Sequence, residues 1–266
     1  MITSSANAQV KQIRRLRDRK ERQQTGLFYI EGLRIVAEAV QQGAPIETLI
    51  TAPDLLASEF GRQLASDQAA AGVPILEVSA EVFSALSLKE GPVGIAAVVR
   101  QKWQPLEDVR VQPGKTWVAL DSVADPGNLG TILRTNDAAG GSGLLLLDHS
   151  TDPYDPTAVR ASMGAVFSQI LVRASLAEFA AWKRAHDCPV IGSSDKASTD
   201  YHHYRYPAAL VVLMGSERHG LQARHLELCD EVVSIPMLGS SDSLNLAVAT
   251  AVILYEIVNQ RRDRPA

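Results

Sequence analysis

Apolar positions in this chain come as short unbroken runs separated by amphipathic stretches, the pattern of strands alternating with helices. Residues 7–22 read as a charged helix, with Val10, Ile13 and Leu16 on one side and Lys11, Arg15 and Arg22 on the other. Then come a strand at 28–30, a helix at 31–42 ended by Gly43 and Pro45, and a strand at 47–51. A helix at 53–71, a strand at 74–78, a short helix at 80–87 and a strand at 93–99 complete a first α/β layer. Residues 100–115, with two prolines and a glycine among polar side chains, read as a linker. Beyond it the pattern predicts a strand at 116–120, a helix at 129–139, a strand at 143–147 and a helix around 157–165. Further strands follow at 189–191, 208–213 and 231–235. The apolar run at 210–213 suits a parallel strand covered on both faces. The fold class is α/β: a parallel-sheet domain at 116–266 after a smaller α/β domain at 1–99.

The last predicted helix, 244–261, carries two apolar stripes. Leu244, Ala247, Val248, Ala251, Tyr255 and Val258 form one; Leu246, Ala249, Ile253 and Ile257 form the other, roughly opposite. A helix apolar on both sides needs cover on both sides, so either more of this chain or a second copy lies on the outer one.

Composition narrows the class. With 46% hydrophobic residues in 266, a substantial core is available. No apolar run approaches the roughly 18–20 residues of a membrane span, and the polar N-terminus lacks the apolar heart of a secretory signal. Cys188 and Cys229 fit neither metal-ligand spacing nor a disulfide framework, and the histidines match no metal pattern. A soluble intracellular protein without a metal is the expectation. The net charge of −4 conceals an asymmetry: residues 1–34 hold eight basic and three acidic side chains, a local +5 against −9 elsewhere. Lys11, Arg14, Arg15, Arg22 and Arg34 are the candidates for contacting a polyanion, against the plainer reading of a solvated charged helix.

Three segments carry the candidate chemistry: DPGNLGTILRTNDAAG from Asp125, LMGSERHGL from Leu213 and IPMLGSSDSLNLAVATA from Ile235. Each follows a predicted strand, where α/β sheets bind ligands. Each also has a structural reading. Asn128 can cap the helix it precedes, and Arg134 can be a surface arginine paired with Asp137. Glu217 can be a first-turn acid favoured by a helix dipole, and Ser243 can be an N-cap. The rival of a nicotinamide fold lacks a GxGxxG with an acidic residue downstream, and a GxSxG nucleophile elbow is absent.

Together the segments resemble the three motifs of the SpoU/TrmH branch of the SPOUT superfamily, RNA ribose 2′-O-methyltransferases. The matching residues are Asn128 and Arg134; Gly215, Glu217 and Gly220; and Met237, Gly239, Ser243, Leu244 and Asn245. Leu246-Ala247 stands where a Val-Ser pair is frequent, and Arg218-His219 fills two variable positions. Arg17 to Arg22, Phe28 to Gly32 and Gly91 to Ile95 resemble the family's L30e-like RNA-binding domain.

The resemblance implies a homodimer whose second domain is tied in a deep trefoil knot. It implies S-adenosylmethionine held around Leu213, Met214, Gly215, Ile235, Met237, Leu244 and Asn245, with Arg134, Asn128, Glu217, Ser243 and Asn245 as the catalytic set. The arginine matching Arg134 is proposed in the family as the base, assisted by an RNA phosphate; anchoring that phosphate is the easier role for a permanently protonated guanidinium. The implied substrate is RNA, ribosomal rather than transfer RNA because two domains are present, in the cytoplasm, without membrane or metal. The alternatives are a tRNA ribose 2′-O-methyltransferase and a non-catalytic RNA-binding or assembly protein on the same fold.

Overall fold

The computed structural model describes residues 1–88 and 90–262. Through residue 101 the elements are α1 Ala8–Arg15, α2 Arg19–Thr25, β1 Leu27–Glu31, α3 Leu33–Gln41, β2 Ile46–Thr51, α4 Glu59–Ala70, β3 Ile75–Glu77, α5 Ala80–Leu86 and β4 Ile95–Arg100. The later ones are β5 Thr116–Asp121, α6 Pro126–Ala138, β6 Gly143–Leu147, α7 Pro156–Ser162, α8 Ala165–Ser168, β7 Ile170–Ala174 and α9 Leu176–His186. β8 Val190–Ser193, β9 Thr199–Asp200, β10 Leu210–Met214, α10 Ala223–Leu226, β11 Glu231–Ser234 and α11 Leu246–Arg262 complete the order.

Two compact units result, one of Met1–Gln101 with Tyr154–Phe167, the other of Lys102–Pro153 with Ser168–Ala266. The sequence pattern assigns residues 154–167 to the second domain; by contact they belong to the first. Aromatic packing is the reason, since the Phe28 ring lies 4.6 Å from that of Tyr154 and 6.2 Å from that of Phe167. Residues 102–115 are not a free linker. Val109 is buried in the second core beside Trp117, Leu106 and Val111 pack against it, and Gln104 N–H donates to the Leu171 carbonyl at 2.9 Å.

The first unit is built on a four-stranded sheet, β1-β4-β2-β3, antiparallel except for β2 with β3. Gly94 sets where β4 can begin. Its φ is +75°, and a β-carbon there would run into the backbone of Ala52 and Leu56.

The helix expected over 7–22 is two helices. Asn7 caps α1 by accepting from the amides of Gln9 and Val10. The amides of Leu16, Arg17 and Asp18 then reach back only three residues, which tightens the turn and ends the helix. Restarting at Arg19 turns Arg22 inward, so it is 1% exposed instead of facing solvent with Lys11 and Arg15. Its Nη1 donates to the carbonyls of Leu16 (3.0 Å) and Arg17 (2.7 Å), and its Nη2 sits 3.2 Å from the Asp155 carboxylate. Arg22 is therefore a clasp at the end of α1, not a contact for a polyanion. Arg22→Ala should destabilise the protein by about 3 kcal/mol, since a buried acceptor set loses its donor. Denaturant titration checks this, and a loss no larger than that of exposed Lys11→Ala would refute the clasp.

The second unit has a seven-stranded sheet in the order β7-β6-β5-β10-β8-β11-β9, every neighbouring pair parallel. Trp117, Leu145, Val172, Phe179, Val211 and Leu213 fill the core on one side. The sequence pattern did not reveal β7 or α9, although Ser175 and Glu178 form a complete capping box at the start of α9. Helix α11 buries Ile253, Leu254 and Ile257 and leaves Val248 (48%) and Tyr255 (47%) exposed. No described helix is long and apolar enough to cross a membrane.

Candidate active site

The site forms at the carboxyl ends of β5, β10, β8 and β11, four adjacent strands of the parallel sheet, where the following loops leave in one direction. After β5 the chain takes a left-handed turn at Ser122 (φ 53°), an unfavourable conformation for a side-chain-bearing residue. That turn presents the next amides to Glu217. Glu217 accepts from the backbone N–H of Ala124 (3.1 Å) and Asp125 (3.2 Å) and from Nδ2 of Asn128 (3.2 Å). Asn128 in turn accepts at Oδ1 from Nδ2 of Asn245 at 2.9 Å. Glu217, Asn128 and Asn245 thus join the three sequence segments by direct side-chain hydrogen bonds.

This geometry replaces the plain structural readings. Asp125, not Asn128, caps α6, its Oδ1 accepting from the Asn128 N–H at 2.8 Å. Asn128 lies in the first turn with its side chain free for the network. Glu217 is no first-turn acid, because the next helix, α10, begins at Ala223. Ser243 does not cap α11; Asn245 does, accepting from the amides of Ala247 (2.9 Å) and Val248 (3.3 Å). Asp137 is engaged by Ser168 and Gln169 rather than by Arg134. Arg134 is exposed and has no hydrogen bond or ion pair among the described residues.

Burial works against ionisation of Glu217. The hydrogen bonds from Ala124, its own backbone N–H, Asn128 and Asp125 more than offset that and hold its pKa below the ordinary carboxylate value. A carboxylate so engaged is a fixed anion and a poor proton acceptor.

Beside the network lies a cleft of about 580 Å³. Of the expected cofactor residues, Met214, Gly215, Ile235, Met237, Leu244 and Asn245 line it, with Glu217 and Ser243. Leu213 does not; its side chain is fully buried in the core. Gly215 packs directly on the backbone of Gly220 and Leu221, so a side chain there would force the 215–220 loop open. Arg134 and Asn128 are not on the wall.

Two features escaped sequence reasoning. The loop after β8 adds Asp195 and Lys196 to the cleft, at positions no motif marks. Beneath the loops, His225 (1% exposed) accepts the Gln222 N–H at Nδ1 (2.8 Å), so its proton resides on Nε2, 3.2 Å from the buried Asp121 carboxylate. Burial lowers the His225 pKa and Asp121 only partly restores it, leaving a neutral ring between the end of β5 and α10. No group of His, Cys, Asp and Glu among the described residues is arranged to hold a metal ion.

Known proteins similar to this chain come from one family. The SpoU rRNA Methylase family model matches residues 115–255, and the MRM3-like substrate binding domain model matches residues 7–97. A 23S rRNA (uridine(2479)-2′-O)-methyltransferase of Streptomyces viridochromogenes is 34% identical over 269 residues, covering 97% of this chain and 92% of that protein. The 23S rRNA (guanosine(2553)-2′-O)-methyltransferase RlmP of Bacillus subtilis is 30% identical over 96% of this chain and 98% of its own. A crystal structure of an AdoMet-bound rRNA methyltransferase from Sinorhizobium meliloti superposes with a TM-score of 0.89 at 39% identity, covering 100% of this chain and 98% of that one. With its three signature segments joined around one cleft and both regions matched, the chain belongs to the SpoU rRNA methylase family.

Proposed function

We propose that this protein transfers a methyl group from S-adenosylmethionine to a ribose 2′-hydroxyl of ribosomal RNA. The observation that carries the reading is the Glu217–Asn128–Asn245 chain of hydrogen bonds, which gathers the three segments beside one cleft. The names of the relatives, 23S rRNA 2′-O-methyltransferases, support ribosomal over transfer RNA.

The cleft residues fit the cofactor. Ile235, Met237, Leu244 and Leu246 offer apolar cover for a flat adenine, while Asp195, Ser243 and Asn245 offer polar partners at the same walls. When bound, S-adenosylmethionine supplies an electrophilic methyl group on a sulfonium. The protein must then hold the hydroxyl in line and favour loss of its proton. Arg134 suits the second task without acting as a base: a guanidinium stays protonated, and a fixed cation beside the hydroxyl stabilises the developing alkoxide while forking onto an adjacent phosphate, the hydroxyl proton passing to solvent water as the methyl group is taken up. Glu217 and Asn128 are positioning residues that set the 122–128 loop and the start of α6.

The same proposal includes pairing of two copies in the cytoplasm, each with the trefoil knot of its family. The exposed apolar face of α11, with Leu244 39% exposed beside Val248 and Tyr255, supports the pairing. Isothermal titration calorimetry tests the core of the reading. Binding of S-adenosylmethionine in the micromolar range is expected, and no heat at millimolar cofactor would sink it in favour of a non-catalytic RNA-binding protein.

A further inference from the structure

The first unit contains a cleft of about 450 Å³ that the methyl-transfer site does not use. The end of β1, the start of α3 and helix α7 border it, and its walls are the apolar side chains of Ile30, Leu33, Leu88, Val93, Val159 and Met163. Two of these, Val93 (46%) and Met163 (38%), are exposed, an open apolar surface inside a concavity rather than on a convex flank. Polar groups stand at two levels around it.

At one level are cations. Arg34, in the first turn of α3, is exposed and has no hydrogen bond or ion pair among the described residues. Arg160, on α7, is also exposed and makes one long contact, 3.4 Å to the Leu88 carbonyl. At the other level are a donor and an acceptor. Glu31, 7% exposed, accepts from the Ser87 hydroxyl and from the Leu88 N–H at 2.9 Å. Tyr29, 5% exposed, keeps its proton because burial first, and the neighbouring Glu31 charge second, oppose ionisation; its hydroxyl finds no well-aligned acceptor.

An apolar slot with a hydrogen-bond donor and acceptor takes a flat heterocycle with polar edges, and two guanidiniums at its rim take anions attached to that ring. A nucleotide has both parts. A greasy peptide or lipid tail would fill the walls but offer the Tyr29 hydroxyl no acceptor and gain nothing from two forks. We infer that this cleft receives one unstacked nucleotide of the RNA substrate, its base in the slot and its flanking phosphates on Arg34 and Arg160. Unpaired, splayed bases are the usual point of sequence-selective RNA recognition. The cleft then gives the first unit a means of choosing RNA by an unpaired position, beyond general attraction to its charge. The inference rests on the RNA-methylating reading, and it adds Arg160 and Val93 to the residues that select substrate.

The test uses the full-length protein and a hairpin RNA with a single-nucleotide bulge. Probes carry each of the four bases at the bulge or an abasic sugar in its place. The wild type should bind at least one base-bearing probe about tenfold more tightly than the abasic one, the scale of one base leaving water for a matched slot. Val93→Trp, which fills the slot from an exposed position, should erase that preference; Met163→Trp, from a second element of the lining, should do the same. Arg34→Ala and Arg160→Ala should each weaken both probes and flatten the salt dependence by about one counterion. Equal affinity of the wild type for base-bearing and abasic probes overturns the inference. So does a preference that survives both tryptophan variants, or binding of a hydrophobic peptide in place of RNA. Calorimetry with S-adenosylmethionine separates the two levels: if cofactor binds and the base preference is missing, only this cleft is misread, whereas absent cofactor binding strikes the methyltransferase reading.

Discussion

Arg134→Ala is expected to lower the methylation rate by at least about 10²-fold while leaving S-adenosylmethionine affinity within a few-fold of wild type. The structure separates these two effects. Arg134 is exposed two turns into α6, and it is absent from the cofactor cleft wall. It spends none of its five donors on the described residues, so deleting it removes no fold contact and leaves melting behaviour unchanged. Arg134→Lys discriminates between the two chemical roles. A lysine retains a charge but cannot fork onto a phosphate, so anchoring predicts partial activity with raised RNA KM. If the residue were a base, lysine, the more easily deprotonated group, would gain activity as pH rises through the alkaline range. Single-turnover methylation across pH with both variants gives the answer, and wild-type turnover in Arg134→Ala would remove the arginine from the mechanism.

Glu217→Ala should reduce the rate by about 10²-fold and also weaken cofactor binding, because this residue both lines the cleft and holds the loop after β5. Three N–H groups converge on one carboxylate, so alanine leaves the amides of Ala124 and Asp125 and the amide of Asn128 without their acceptor. Glu217→Gln is the sharper probe. Its NH2 group would face at least one of those N–H donors, and the variant should lose most of the same activity despite its near-identical shape. The pH dependence has a definite sign. The folded-state pKa of Glu217 lies below the ordinary 4.5, so the tie is fully present above that value. It is lost only as pH falls through the lower folded value. Cofactor affinity should therefore be insensitive to Glu217 titration from neutral pH down to about 5. A marked loss with its midpoint above about 5 but below the ordinary histidine value of 6.5 would point instead to the buried His225, whose pKa burial lowers.

Much of the candidate site is legible in the sequence, for a physical reason. Glycines and short polar residues at strand ends serve the loops locally, so their identity travels with the segment. Gly215 is one case, required by close backbone packing; Asn245 is another, required by the helix it caps. What could not be read is whatever depends on how distant segments meet. Arg22 was placed on the charged side of a single helix, and three tightened turns between Ile13 and Asp18 reversed it. Val109 sits in a polar, proline-bearing stretch, yet it is a core residue because it joins the buried cluster that contains Trp117. Residues 154–167 show no local sign of leaving their neighbours in sequence, and it is their contacts with Phe28, Arg22 and Leu88 that place them in the first unit. Strand β7 carries an apolar run like the others, and Ser175 with Glu178 marks the start of the following helix, so both are signalled locally.

The strand order of the second sheet has a consequence in time. β10 lies between β5 and β8, both of which precede it in the chain, and pairs with each in parallel. During synthesis, β5 and β8 therefore emerge with facing edges that cannot satisfy each other until residues 210–214 arrive to fill the gap. Glu217 and Asn245 come later still, so the cleft cannot form until after that gap is filled. Through that interval the nascent chain carries two unpaired strand edges, the state in which parallel sheets are slowest and most exposed to misassociation.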